Sequence, residues 1–344
     1  MRHSHSWLCA FSSSPQPAAP AGSRAPAAPQ SSAERPPLHS NPILLYGLIS
    51  VAMLIWAFNY PIAKFAYKEI DGLTLGVLRV LVAAVGMLPI HLAYRSRHPL
   101  PVPLTRHDYW VLAWLGCFLS FNQGLFIFGL SHTTVAHSAL IIAIGPVNIL
   151  LLAVLVGLER FTANKVIGVL LAFSGVALLA VGRGFASTSP TLRGDLLTLG
   201  GSLAFAGYAI VGKRVTRRLD TITLTAWPFY FGALLFLPLA VRQIRITDWS
   251  RVGVAGWGAL AHIGIGASLF GYLIWMWGIH HLAASRMGVF TYVQPVLGSI
   301  IGVVLLHEEY TAQLALSGVL VLAGVALAEW RNFGDEDANE TLTM

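Results

Sequence analysis

Ten stretches of mostly apolar residues, separated by charges, Pro and Gly, dominate this 344-residue chain: Ile43–Ala66, Leu73–Tyr94, Tyr109–Leu130, Thr134–Leu158, Asn164–Val181, Gly194–Val211, Thr223–Val241, Val254–Trp277, Ala284–Leu306 and Ala312–Trp330. A helix needs roughly 20 such residues to cross the hydrocarbon core of a bilayer. The stretches are continuous rather than alternating and about twice the length of a barrel strand, so they predict helices. Composition agrees: 56% of residues are hydrophobic and 11% charged, too few charges for a water-soluble surface, which carries about a quarter. The net charge of +7 is scattered in small groups between the apolar runs, which argues against a nucleic-acid footprint. Of two cysteines, Cys9 precedes the first run and Cys117 lies inside one; neither a disulfide framework nor a metal cluster is indicated, and no cofactor is expected.

The chain also repeats itself. Shifting it by 149 residues aligns the two halves without a gap: Lys64 meets Lys213, Asp71 meets Asp220, Pro89 meets Pro238, Gly129 meets Gly278, His132 meets His281, Pro146 meets Pro295, Glu159 meets Glu308 and Thr162 meets Thr311. Gly175-Val176-Ala177-Leu178 is repeated as Gly324-Val325-Ala326-Leu327. Five crossings per copy is an odd number, so the second copy must enter the membrane from the opposite side. The expected fold is thus an all-α integral membrane protein of ten transmembrane helices in two inverted five-helix repeats. Residues 42–182 and 192–331 form the repeats, 1–41 a disordered Ser/Pro/Ala-rich tail and 332–344 an acidic tail.

Lys and Arg beside the helices set orientation. An inside N-terminus places twelve of them, Arg35, Arg95, Arg97, Arg106, Arg160, Lys165, Lys213, Arg214, Arg217, Arg218, Arg286 and Arg331, on the cytoplasmic side and seven opposite. Both termini are therefore expected in the cytoplasm of a multi-pass protein of the cell (inner) membrane.

Inverted repeats point to transport, because two mirrored conformations of nearly equal energy open a midplane site alternately to each side. Broken helices at matching positions of the halves mark such sites. Here these are Gly145-Pro146 and Gln294-Pro295, each Pro removing the amide that would bond the carbonyl four residues back, at Ile142 and Thr291. Pro146 and Pro295 are accordingly the candidate hinges. Polar and ring-bearing residues within the runs supply candidate substrate contacts: Trp56, Asn59, Arg79, Asn122, Gln123, His137, Asn148, Tyr208, Tyr272, Trp275, Tyr292 and Gln294. His137 and Asn148 are eleven residues apart, about three turns, and share one helix face. Arg79 is placed either to bind an anionic group or to snorkel to the surface. His137 and His262 are the titratable groups of central runs that can carry a proton near neutrality. With no Asp or Glu expected in mid-helix, a carboxylate relay lacks support. Glu159 and Glu308, each followed closely by a Thr, fit helix capping.

Leu54-Ile55-Trp56-Ala57-Phe58-Asn59-Tyr60-Pro61-Ile62-Ala63-Lys64, followed by Leu78-Arg79, resembles the first two helices of EamA-type carriers of the drug/metabolite transporter superfamily. Pro146 through Glu159 to Gly168 and Gly175-Val176, copied as Pro295 through Glu308 to Gly324-Val325, is similar to that family's paired signature. The second copy departs by placing Ser317 where Gly168 stands and Tyr208 where Asn59 stands. The resemblance implies ten helices around a central cavity, cytoplasmic termini, and export of metabolites, amino acids or drugs as small-molecule substrates. It specifies neither coupling nor oligomeric state. Protons are the candidate coupling partner, on the strength of His137 and His262. The alternatives are a channel and a membrane-embedded enzyme. His307-Glu308-Glu309-Tyr310-Thr311 has Thr where a zinc protease motif needs its second His, which argues against the latter.

Overall fold

The structure, a computed structural model, describes residues 42–100, 102–157, 162–181, 190–215, 218–281, 290–291, 293–307 and 311–329. Within them all regular structure is helical: α1 (Pro42–Ala66), α2 (Gly72–Arg97), α3 (Arg106–Leu130), α4 (Val135–Ala143), α5 (Gly145–Leu155), α6 (Ala163–Val181), α7 (Pro190–Val215), α8 (Thr221–Ile246), α9 (Val254–Ala261), a π-helical stretch (His262–Phe270), α10 (Gly271–His281), α11 (Val293–Leu306) and α12 (Ala312–Glu329). Tyr292, Glu159, Glu308 and both expected tails lie outside the described residues.

Among the described residues seven helices are long and apolar enough to cross a membrane, counting α4–α5 and α9–α10 as one each. Shorter apolar helices run over Ala163–Leu178 and Ala312–Ala328, and residues 290 and 291 ahead of α11 are also helical. The surface fits lipid rather than water. Large apolar side chains such as Val85, Leu155, Leu170, Leu234, Val304 and Val319 point outward, while Asn59, Arg79, Gln123, Asn148 and Asp195 are buried. In lipid the outward apolar surface costs nothing and the polar groups must find partners inside.

Element bounds keep the spacing of the sequence repeat, α8 beginning and ending 149 residues after α2. Equivalent Asp residues start both helices: Asp71 accepts from the amides of Leu73 and Thr74, each at 3.0 Å, and Asp220 from that of Thr223 at 3.0 Å. The pair packs antiparallel. Thr74, near the start of α2, donates to Gln243 near the end of α8 (3.2 Å), and Arg95, near the end of α2, bonds Asp220 and Thr223 at the start of α8. α6 and α12, also equivalent, are antiparallel too, with Gly168 against Gly324 and Ala328, and Gly175 against Ser317 and Val321.

Burial by itself raises the pKa of Asp220, but the Thr223 amide and hydroxyl and the Arg95 guanidinium outweigh it, leaving the carboxyl below its ordinary range. A depressed folded-state pKa contributes stability that is fully present above the ordinary carboxylate pKa and lost as pH falls through the lowered one. Asp220→Ala is expected to destabilise by about 1–2 kcal/mol at neutral pH through the lost cap. In thermal melts its gap to wild type should narrow in acid; a gap constant with pH refutes the charge contribution.

Candidate functional site

The π-helical stretch organises the centre of the bundle. π-bulges are found mostly within α-helices and often at functional sites. Here the widened turn lets the Ser268 hydroxyl reach the carbonyl of Ile263, five residues back, at 2.7 Å. Ser268 also accepts from Nε of Arg79 at 2.9 Å and meets Oε1 of Gln123. Its neighbour Ala267 accepts from the indole N–H of Trp56 at 2.8 Å. Gly271 makes this approach possible, since a Cβ there would stand 2.4 Å from the Trp56 indole nitrogen. Arg79 thus does not snorkel: it is only 3% exposed and fixed to the opposite half of the chain.

Rings fill the space beside this network. Trp56 packs edge-on against Tyr272 (centroids 5.4 Å apart) and tilted against Trp275 (5.6 Å). Tyr208 contacts Tyr272 at 5.8 Å and Phe205 contacts Trp275 at 5.7 Å. The Tyr272 hydroxyl donates to Oδ1 of Asn122, whose amide nitrogen donates to the Gly201 carbonyl at 3.0 Å. Trp56, Arg79, Asn122, Gln123, Tyr208, Tyr272 and Trp275, seven of the sequence candidates, therefore belong to one connected assembly.

His137 and Asn148 do share a face, and that face meets α7. Nδ1 of His137 lies 3.0 Å from Oδ2 of Asp195, and the Asn148 amide donates to the Ser202 hydroxyl at 2.8 Å. The Thr133 hydroxyl donates to the other Asp195 oxygen, and the Thr133 carbonyl accepts from the Lys64 ammonium. Asp195 stands in the second turn of α7 rather than in mid-helix, yet it is buried. α7 starts at Pro190, ahead of the apolar run, so Asp195 is already inside it and only 8% exposed. Sequence reading missed Asp195, Ser202 and Ser268. The available signal was the spacing Asp195, Thr198, Ser202, Phe205, Tyr208, which marks one stripe along α7.

Asn59 is buried, with Oδ1 lacking a hydrogen-bond partner among the described residues. Gln294 donates to the Met53 sulfur at 3.7 Å. Of the two candidate hinges, Pro146 interrupts the helix itself. α4 ends at Ala143, Ile144 takes φ −78° and ψ 3°, and Pro146 stands in the first turn of α5. Pro295 lies within α11, and residues 290 and 291 ahead of it are helical as well. Among the described residues no group of three or more His, Cys, Asp or Glu is arranged to hold a metal.

Compared with known proteins, the chain matches the EamA-like transporter family model twice, over residues 43–181 and 192–330. An uncharacterized transporter of Bacillus subtilis, YyaM, is 30% identical across 63% of this chain and 73% of its own length. An uncharacterized transporter of Archaeoglobus fulgidus is 28% identical across 81% and 95%. A probable terminal-alkyne amino-acid exporter of Streptantibioticus cattleyicolor is 24% identical across 83% and 93%. A solved protein structure superposes with a TM-score of 0.57 at 20% identity, covering 83% of this chain and 96% of the other, and shares the fold.

Proposed function

The chain belongs to the EamA-like transporter family as a multi-pass membrane protein, and from that premise we propose that it is a secondary active carrier exporting small metabolites, amino acids or drugs by alternating access. In this reading the chain crosses the membrane ten times as two inverted five-helix repeats, 42–182 and 192–331, with both termini in the cytoplasm of the cell (inner) membrane. One observation carries the proposal: antiparallel packing of equivalent helices surrounds a seam where side chains of both repeats meet in polar and aromatic contacts. Two inverted copies can exchange conformations about such a seam. Asn59, Tyr292 and Gln294 join the seven assembled residues, His137 and Asn148 as the proposed substrate-facing set, with Pro146 and Pro295 as hinges. The name of the Streptantibioticus relative favours amino acids among the cargo classes.

Purified protein in proteoliposomes is expected to accelerate saturable counterflow of a labelled amino acid or metabolite over empty vesicles. Unitary current steps in a planar bilayer would establish the channel alternative and reject the carrier. Exchange with protons, supported by the pairing of His137 with Asp195, is expected to make uptake respond to an imposed pH gradient. Transport insensitive to that gradient removes proton coupling.

A further inference from the structure

Arg79 is a buried charge with no counter-charge among the described residues. Its Nε bonds the neutral Ser268 hydroxyl, and among the described residues no carboxylate lies within ion-pair distance. The phenols of Tyr67 and Tyr272 donate their protons elsewhere, to the Ile127 carbonyl at 2.6 Å and to Asn122. A guanidinium stays protonated, and burying one without a counter-charge is costly, most of all within a membrane. With Nε committed, Nη1 and Nη2 remain as a planar fork with no hydrogen-bond partner among the described residues, a shape that matches a carboxylate bidentately. The ring cluster around Trp56 and Tyr272 adds unused donor capacity: the Trp275 indole N–H, which can only donate, and the Tyr208 hydroxyl are buried without partners among the described residues. Arg79 bonds Ser268 while Trp56 bonds the adjacent Ala267, and Trp56 in turn contacts Tyr272 and Trp275.

Resting on the carrier reading above, we propose that the central site takes a small organic carboxylate, its charge on Arg79 and its apolar or aromatic body against Trp56, Tyr272 and Trp275. The bound anion supplies the counter-charge that the described residues lack. Specificity for acids over neutral analogues then follows from a site whose donors go unpaired when the anion is replaced.

The test uses the full chain in detergent, with thermal stabilisation by phenylacetate, phenylacetamide, phenethylamine and phenyl phosphate, repeated in Arg79→Met and Arg79→Lys. Phenylacetate is expected to raise Tm, with the amide at least about tenfold weaker, as a charged hydrogen-bond partner is lost, and the amine without effect. Arg79→Met should abolish the preference for acid over amide, and Arg79→Lys should retain it in part. Should Arg79→Met fail to fold, the four-compound series on wild type still decides. Equal stabilisation by acid and amide, no stabilisation by phenylacetate, or preference for phenyl phosphate each overturns the proposal. Failure of the carrier reading has a different signature. Arg79-dependent phenylacetate binding without phenylacetate counterflow supports the anion site and removes transport. Saturable counterflow of a cargo that Arg79→Met leaves unchanged, with no phenylacetate binding, keeps transport and removes the anion site.

Discussion

Gly324→Leu is expected to yield no monodisperse protein. An ideal Cβ at 324 stands 2.4 Å from the Ala172 amide nitrogen and 2.6 Å from the Gly168 carbonyl oxygen, and at 168 it stands 2.5 Å from the Ala328 nitrogen and 2.6 Å from the Gly324 oxygen. The obstacles are backbone atoms of the partner helix, which no rotamer change can move. α6 and α12 therefore touch through small residues, the arrangement by which membrane helices gain close van der Waals contact when lipid offers no hydrophobic drive between them. Overpacking a core costs about 1–3 kcal/mol even where side chains can yield. Here the helices must separate along their length, so the loss is expected to exceed about 3 kcal/mol, a large share of a stability of about 5–15 kcal/mol. Gly324→Ala and Gly168→Ala should fall between wild type and Gly324→Leu in Tm. Gly47→Ala and Gly258→Ala meet nothing within 4 Å and should be neutral or slightly stabilising, since alanine favours helix. Size-exclusion profiles and melts of the set decide. A well-behaved Gly324→Leu refutes the α6–α12 contact.

The second large effect is expected at the His137–Asp195 pair. His137 stands near the start of α4 in the first repeat and Asp195 near the start of α7 in the second, so the contact ties the two halves together. A protonated imidazole adds attraction to the carboxylate, whereas a neutral ring offers only a hydrogen bond. Lys64 also reaches this site, through the Thr133 carbonyl, and Thr133 itself bonds Asp195. Asp195→Asn keeps the size and can still pair with Thr133, but cannot neutralise an imidazolium. In proteoliposomes it is expected to lower transport driven by a pH gradient at least about tenfold, as is His137→Gln, with the double variant no worse than either alone because both remove one coupling. Full retention of the gradient response in both variants would falsify a coupling role for the pair.

Much of the fold was legible because a membrane imposes one simple rule. Backbone groups in lipid must bond within their own segment, so apolar runs declare helices, and the Asp71 and Asp220 caps fall at their starts. The bounds of α2 and α8 were readable within a few residues, and the repeat could be read because the register never slips. The site was less legible. Trp56, Arg79, Gln123, Tyr272 and Trp275 stood out as polar or large residues in apolar surroundings, but Ser202 and Ser268 did not, because a serine inside a run is cheap and carries no pattern. Asp195 did not stand out because it is the second residue of the apolar run, whereas α7 already extends from Pro190.

Sequence alone determined the all-helical, apolar character of the chain and the 149-residue register that its two halves share, since these depend on local backbone chemistry and on a pattern written along the chain. Tertiary structure alone decided that Arg79 faces Ser268 rather than the surface, that His137 meets a carboxylate, and that the helix pair around Pro146 breaks at Ile144. These depend on which side chain of a distant helix occupies the adjoining space, here residues 189 and 58 positions away in sequence. Periodicity within one helix carries no information about the partner that will pack against it.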